Sequence, residues 1–93
     1  MKILKFTSNG CVPCAQLTRW IDTHQELFKE HTIEEINHEF HKDLYKEYGV
    51  RSVPTMIFID DEESIVEEIK GFKPEAIKYV LSLGTDRCAL AGS

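Results

Sequence analysis

Hydrophobic positions in the first third of the chain follow two different spacings, which predict a strand and then a helix. A short, mainly apolar run at residues 3–6 ends at the polar turn Ser8-Asn9-Gly10, as is typical of a buried strand. Pro13 suits the first turn of a helix, because the N–H that it lacks has no helical partner there. Three- and four-residue spacing then predicts one long helix that carries Leu17, Trp20, Ile21, His24, Leu27 and Phe28 on one side.

The middle of the chain repeats this alternation of strand and helix. Residues 32–36 predict a second strand. A shorter helix follows and ends at Gly49, because glycine readily adopts the left-handed conformation that terminates helices. The positions that mark this helix are Phe40, Leu44, Tyr45 and Tyr48.

The last third of the chain predicts a hairpin followed by a helix. The continuous apolar run at residues 55–59 and the partly alternating residues 65–69 flank an acidic turn, so we expect two antiparallel strands. Pro74 opens a last helix. Residues 85–93 show no periodicity and are predicted to form a flexible tail after a single domain at residues 1–84.

The predicted order of elements is therefore βαβαββα. A strand joined to the next strand through a helix makes a parallel pair with a right-handed crossover, and the hairpin can extend that sheet with antiparallel strands. The sequence thus predicts an α/β domain in which a four-stranded mixed sheet is flanked by three helices.

Length and charge restrict the classes of function. With 93 residues, 42% of them hydrophobic and 29% charged, the chain has the size and composition of one globular domain. Its net charge of −5 argues against nucleic-acid binding, which needs clustered Lys and Arg. The pattern shows neither a secretory signal nor a segment as long as a membrane span. We expect a cytoplasmic monomer that has neither nucleic acid nor membrane as a partner.

Two of the three cysteines are separated by only two residues, which indicates thiol chemistry rather than a framework of structural disulfides. The segment Cys11-Val12-Pro13-Cys14 lies where the first strand passes into the long helix. The helix N-terminus favours a thiolate there, so Cys11 is the expected nucleophile. Cys14 lies about one turn further along and can resolve a mixed disulfide formed by Cys11. The third cysteine, Cys88, is interpreted as a spectator thiol in the tail.

A metal-binding module is the strongest alternative of another class, because a Cys2His2 set is present in Cys11, Cys14, His38 and His41. The spacing from the cysteines to the histidines is longer than in common zinc fingers. A βαβ crossover also carries the two histidines away from the start of the first helix. We therefore expect no metal here. A third interpretation is an adaptor whose dithiol is idle.

Three segments resemble the thioredoxin/glutaredoxin superfamily. Cys11-Val12-Pro13-Cys14 is similar to the active-site motif of thioredoxins. Tyr48-Gly49-Val50-Arg51-Ser52-Val53-Pro54-Thr55 resembles the segment in which thioredoxins carry a cis-proline facing the dithiol. Gly71-Phe72-Lys73-Pro74-Glu75 resembles the glycine turn and last helix of the superfamily. The matches cover most of residues 2–83, in the right order and at the right spacing.

This resemblance implies a thiol-disulfide oxidoreductase that reduces disulfide-containing client proteins through a reversible Cys11–Cys14 disulfide, without a bound cofactor. Electrons would come from NADPH through thioredoxin reductase, or from glutathione. Arg51 and Lys73 would place positive charge on the rim of the client groove. The residues that the resemblance assigns to substrate binding are Val12, Pro13, Val53, Pro54 and Gly71.

The chain also departs from standard thioredoxins. It lacks the extra strand and helix ahead of the active-site strand, so its outline is closer to glutaredoxins and resembles the glutaredoxin-shaped electron donors of ribonucleotide reductase. Gly10 replaces the tryptophan that usually precedes the first cysteine. Lys5 stands where thioredoxins place a buried acid that helps to deprotonate the second cysteine, here Cys14. Lys5 either reaches solvent along its stem or is buried with Glu34 or Glu35 as its partner.

Overall fold

Four strands form a single mixed sheet in the computed structural model, which describes residues 1–82. The strands lie in the order β2-β1-β3-β4; β1 is parallel to β2 and antiparallel to β3, and β3 is antiparallel to β4. The predicted four-stranded mixed sheet is thereby confirmed. The bounds of the strands are β1 (Lys2–Thr7), β2 (Thr32–Asn37), β3 (Thr55–Ile59) and β4 (Ile65–Lys70).

Three α-helices complete the predicted βαβαββα order of this α/β fold. They are α1 (Val12–Thr23), α2 (Lys42–Glu47) and α3, which covers residues 74–82. None of the helices within the described residues is long and apolar enough to cross a membrane. The predicted domain boundary at residue 84, the tail at residues 85–93 and Cys88 lie outside that part of the chain.

The prediction of one long first helix is wrong, because α1 ends at Thr23 and a separate 3-10 helix (Gln25–Phe28) follows. Thr23 Oγ1 donates to the Trp20 carbonyl at 2.9 Å, and His24 Nδ1 lies 2.8 Å from the same oxygen. A continuing helix would offer this carbonyl to the His24 N–H, which instead bonds to the carbonyl of Ile21 at 3.0 Å. As a result Leu27, which the spacing placed with the core residues, is 38% exposed.

The second helix begins later than predicted, since α2 starts at Lys42 and leaves Phe40 outside it. The Asn37 side-chain oxygen accepts the Glu39 N–H at 2.8 Å. The Asn37 carbonyl accepts the N–H groups of Phe40 and His41 at 3.1 and 3.0 Å. This turn satisfies the backbone before the helix starts, and it leaves Phe40 79% exposed.

Two hydrophobic clusters lie on the two faces of the sheet. Because side chains alternate between faces along a strand, Ile3 and Lys5 of β1 point to one face, and Leu4 and Phe6 point to the other. The first face lies under α1 and α3, and its cluster consists of Ile3, Leu17, Ile21, Phe28, Met56, Phe58, Ile69, Ile77, Val80 and Leu81. The second face lies under α2, and its cluster consists of Leu4, Phe6, Ile36, Tyr45, Ile57 and Ile59.

Tyr45 ties α2 to the end of β1. Its hydroxyl donates to the Thr7 carbonyl and lies 3.3 Å from the Ile36 carbonyl, while its ring packs edge-on against Phe6 with centroids 5.0 Å apart. Burial raises the pKa of Tyr45 to about 12. The Thr7 carbonyl also accepts the His38 N–H at 2.8 Å. Helix α2, through Tyr45, and the turn after β2, through His38, are therefore both anchored at the end of β1.

We expect Tyr45→Phe to lower the free energy of unfolding by about 1 kcal/mol, because the buried hydrogen bond from the Tyr45 hydroxyl is lost. The Thr7 carbonyl still accepts the His38 N–H in this variant, so it is not left without a partner. Tyr79→Phe, at a position that is 65% exposed, is the matched control and should change little. Since burial raises the pKa of Tyr45 from 10.0 to about 12, the wild type alone loses the contribution of the neutral hydroxyl as the pH rises through that interval. Urea unfolding should therefore show that the difference in free energy of unfolding between wild type and Tyr45→Phe becomes smaller as the pH rises from 10.0 to about 12. Equal stability of wild type and Tyr45→Phe at neutral pH would contradict the anchoring role of Tyr45.

Candidate active site

Cys11 lies at the N-terminus of α1, after the turn that follows β1. Its sulfur accepts the Cys14 N–H, with 3.1 Å between Sγ and N, so Cys11 is the N-cap of the helix. The two cysteines are joined in a disulfide, with their Cα atoms 5.2 Å apart. Cys11 is half-buried, whereas Cys14 is only 5% exposed. A molecule that approaches this end of the helix therefore meets the Cys11 sulfur first.

The turn before Cys11 depends on Gly10, whose φ of +74° lies in the left-handed region that L side chains rarely adopt. This backbone conformation gives a physical reason for glycine at the position directly before Cys11. The turn is also tied to the end of β2, because Asn37 Nδ2 donates to Asn9 Oδ1 at 3.1 Å. This hydrogen bond thus fixes the turn that presents Cys11 against the end of β2.

The register of the sheet brings the other predicted site segments to the same end as Cys11. Phe6 of β1 pairs with Thr55 of β3, which in turn pairs with Lys70 of β4. Residues just before Thr55 and just after Lys70 therefore lie beside the end of β1 that leads to Cys11. These residues are Val53, Pro54 and Gly71.

The Val53-Pro54 peptide bond is cis, as the resemblance implies. The Gly71 N–H donates to the Pro54 carbonyl at 2.7 Å, and Thr55 Oγ1 donates to the Ser52 carbonyl at 2.8 Å. Pro54 is buried, while Val53 and Gly71 are partly exposed. Pro54 and Gly71 are thus linked directly, with the partly exposed Val53 next to them.

Val12 and Pro13 are exposed beside the disulfide. Val12 is an apolar side chain with 70% of its surface accessible. A shallow depression runs from Val12 along α1, past Arg19 and Trp20, to Phe72. The Trp20 side of this depression is supported from within the core by an edge-on contact between the Trp20 and Phe28 rings. The surface next to Cys11 therefore combines aliphatic and aromatic side chains.

Arg51 and Lys73, predicted to give the groove a positive rim, are both exposed. Arg51 lines a depression against α2 together with Lys42 and Lys46. The Lys73 side chain instead reaches Gly71, with Cε 3.9 Å from the point that a Cβ on Gly71 would occupy. Lys73 is not among the residues that line the Arg51 depression.

Lys5 is buried on the α1 side of the sheet, with 6% of its surface exposed. Its Nζ donates to Thr18 Oγ1 of α1 at 2.9 Å and lies 3.0 Å from Oε1 of Glu35, its register partner on β2. Glu34 instead pairs with Lys2 at 3.4 Å in an exposed ion pair. Of the alternatives for Lys5, burial with Glu35 is the one the structure contains, and the ion pair and hydrogen bond offset the cost of burying an ammonium.

The disulfide shares an open groove with the partners of Lys5. This dithiol groove includes Gly10, Cys11, Cys14, Thr18, Glu35 and Asn37. Among the described residues that line it, Glu35 is the one acidic side chain, and 55% of that side chain is exposed, so water reaches it. Thr18 was not among the site residues predicted from the sequence, although its position four residues after Cys14 places both on one helix face.

Comparison with known proteins decides the family. The family model described as Thioredoxin matches residues 1–82. The chain belongs to the thioredoxin family. The superfamily predicted from the sequence is thereby confirmed, and this family together with the linked cysteine pair supports a thiol-disulfide oxidoreductase.

Solved structures agree with the thioredoxin fold. Thioredoxin of Trichomonas vaginalis shares 21% identity with a TM-score of 0.78, over 87% of this chain and 76% of that one. The short form of thioredoxin f from spinach chloroplast shares 24% identity with a TM-score of 0.79, over 88% and 73% of the two chains. A thioredoxin-fold protein from Helicobacter pylori shares 23% identity with a TM-score of 0.83, over 91% and 68%. No curated protein sequence matches this chain.

The alternative Cys2His2 site does not assemble in this thioredoxin-family protein. Within residues 1–82, no group of three or more His, Cys, Asp or Glu side chains is placed to hold a metal ion. The His38 ring packs edge-on against Tyr45 at 4.8 Å, on the face of the sheet that α2 covers. His41 is exposed at the start of α2. Neither histidine lines the groove that contains Cys11 and Cys14.

The helix cap formed by the Cys11 sulfur leads to a stability prediction for this family member. Under reducing conditions, Cys11→Ala should be less stable than Cys11→Ser by about 1 kcal/mol, because serine can still accept the Cys14 N–H and alanine cannot. Neither variant can form the disulfide, so the comparison isolates the cap. Urea unfolding of both proteins measures the difference, and a Cys11→Ala variant as stable as Cys11→Ser would show that the cap contributes nothing.

Proposed function

We propose that this protein reduces the disulfides of client proteins by dithiol exchange, with Cys11 as the nucleophile and Cys14 as the resolving thiol. The observation that carries the proposal is the contact between Cys11 Sγ and the Cys14 N–H, 3.1 Å apart at the start of α1. In the reduced protein this N–H and the positive end of the helix dipole favour a negatively charged sulfur at Cys11. The difference in exposure then separates the roles, because the enclosed Cys14 is sheltered from clients.

The exchange proceeds in two balanced steps. The Cys11 thiolate attacks one sulfur of the client disulfide; a new S–S bond forms, the client S–S bond breaks, and one client sulfur leaves as a thiolate that takes up a proton. Cys14, after losing its own proton, attacks the Cys11 sulfur of the mixed disulfide. This step forms the Cys11–Cys14 disulfide, releases the second client sulfur, and completes the transfer of two electrons to the client.

We propose that the client lies across the sheet end that holds Val53, Pro54 and Gly71. The carbonyls on both sides of Val53 are engaged, that of Ser52 by Thr55 Oγ1 and that of Pro54 by the Gly71 N–H. The main chain of the partly exposed Val53 is therefore the part of this segment that we expect to pair with an extended client strand. On the other side of Cys11, the exposed Val12 and Pro13 provide apolar contact for the client residues that flank its disulfide.

The proposed partners are disulfide-containing proteins and a reductase, in the reducing setting of the cytoplasm. Membership of the thioredoxin family favours NADPH with thioredoxin reductase as the electron source. No resident cofactor takes part, because the reversible Cys11–Cys14 disulfide itself carries the two electrons.

Trapping distinguishes the two cysteine roles. In a Cys88→Ser background, Cys14→Ser should lose turnover with insulin but accumulate a stable mixed disulfide on Cys11, because nothing resolves it. Cys11→Ser should lose turnover and trap little, since Cys14 is enclosed. Cys88→Ser alone is the control and should retain full turnover. Electrophoresis of the quenched mixture under non-reducing conditions measures the trapped species. Sustained insulin reduction by Cys11→Ser would refute the proposed function.

The electron donor is tested by comparing turnover in two regenerating systems. We expect faster insulin reduction with NADPH and thioredoxin reductase than with NADPH, glutathione reductase and glutathione, as the family suggests. The rate of NADPH oxidation measures both. Faster turnover with glutathione would instead support the glutaredoxin-like alternative, and ribonucleotide reductase would then be the first client to test.

A further inference from the structure

A second depression adjoins the dithiol groove, beside α2. Its lining includes three cations, Lys42, Lys46 and Arg51, and we call it the basic depression. Asp43 is the one acidic side chain among the described residues that line it, so the charge around it is positive. This positive surface belongs to a chain whose net charge is −5.

The two depressions adjoin at the end of β1. Asn37 lines the dithiol groove, and the next residue, His38, lines the basic depression. Thr7 also lines the dithiol groove, and its carbonyl accepts both the His38 N–H and the hydroxyl of Tyr45, a residue that lines the basic depression. A client held at Cys11 can therefore extend into the basic depression.

The local fold brings the three cations together. Lys42 and Lys46 are four residues apart on α2, so both lie on one face of that helix. The chain then turns at Gly49, whose φ of +66° lies in the left-handed region that ends helices. After this turn Arg51 lines the same depression as the two lysines.

Lys42, Lys46 and Arg51 form no ion pair within the described part of the chain. The ion pairs in residues 1–82 engage four other lysines: Lys2, Lys5, Lys70 and Lys78. Like charges four residues apart on a helix repel each other, and a carboxylate from another molecule would offset this repulsion. All three cations are exposed, so they can meet such a carboxylate without being taken out of water first.

From this placement we propose that the preferred clients carry acidic residues close to their disulfide, which Lys42, Lys46 and Arg51 bind while Cys11 attacks the disulfide. The proposal names a client class for the proposed function and rests on it. Because the whole chain is acidic, an acidic client is attracted to this patch and repelled by much of the remaining surface. The patch therefore also orients the client toward the dithiol.

The reach of an extended client strand limits where its acidic residues can lie. Arg51 precedes Val53, the residue at which we expect the client main chain to pair, by two positions. A strand advances about 3.3 Å per residue, so carboxylates roughly two to four residues from the client residue opposite Val53 reach the basic depression. Because the pairs would be exposed, we expect a modest preference that salt weakens.

The test uses three cyclic disulfide peptides of one length, in which the residues two to four positions outside each cysteine are all Glu, all Gln or all Lys. Reduced Cys88→Ser protein is mixed with excess peptide, and its free thiols are alkylated at short times and counted by mass spectrometry. The loss of alkylatable thiols gives the rate of formation of the Cys11–Cys14 disulfide. No reductase is present, so the rate reports the encounter with the client alone.

We expect the parent protein to react about fivefold faster with the Glu peptide than with the Gln peptide at low ionic strength. This preference should disappear near about 1 M salt, where the Debye length is about 3 Å. Equal rates with the Glu and Gln peptides at low ionic strength would refute the acidic client class.

Substitution locates the preference on the protein. Lys42→Gln and Lys46→Gln should each lower the ratio of the Glu-peptide rate to the Gln-peptide rate roughly twofold. Lys46→Glu should shift the preference toward the Lys peptide, because a reversed charge attracts the opposite sign. Lys29→Gln is the matched control, since Lys29 is exposed beside the 3-10 helix and lines a different depression, and it should keep the parental ratio.

Two different failures can be told apart. If the parent protein forms no Cys11–Cys14 disulfide with any of the three peptides, the proposed function itself is wrong. If it oxidises with all three but Lys29→Gln lowers the ratio as much as Lys46→Gln does, net charge sets the preference and the basic depression has no role. Equal melting temperatures of the variants exclude unfolding as the cause of a lowered ratio.

Discussion

The strand β1 has hydrogen-bonded partners along both edges, β2 on one side and β3 on the other. Because it is central, its side chains are buried on both faces of the sheet, and its end at Thr7 has a defined position and direction. The Tyr45 hydroxyl and the His38 N–H both bond to the Thr7 carbonyl. Cys11 follows a short turn later, so the location of the dithiol depends on where this paired strand stops. The same register brings Pro54 to that end of the sheet.

The elements that the sequence predicted well are those whose structure follows from apolar spacing alone. The run at residues 55–59 is continuous because both faces of β3 are covered, and the strand has the same bounds in the structure. The first helix was predicted too long because the apolar spacing continues to Phe28 while the backbone does not. Thr23 and His24 end the helix through contacts with the Trp20 carbonyl, and hydrophobic periodicity carries no information about such contacts.

The site shows the same division between local and long-range information. Cys11 and Cys14 are recognisable from their own spacing and from the predicted start of a helix. The partner of Lys5 was left open between two glutamates, because the choice depends on the register between β1 and β2, which lie far apart in sequence. In that register Lys5 faces Glu35, and the alternation of side chains then directs both toward α1. Once register and facing helix are known, the charge pair is a simple consequence of the strand geometry.

The two edge strands have a consequence for self-association. Unpaired edges invite a second chain to add its own strand, and charged residues along an edge oppose such pairing. Here β2 presents Glu34 and Glu35, and β4 presents Glu67 and Glu68, with exposed side chains on both. Charged residues, namely these glutamates and the lysines that pair with three of them, therefore occupy both edges of the sheet. The arrangement of acids along the sheet margins thus disfavours extension of the sheet from one molecule to the next.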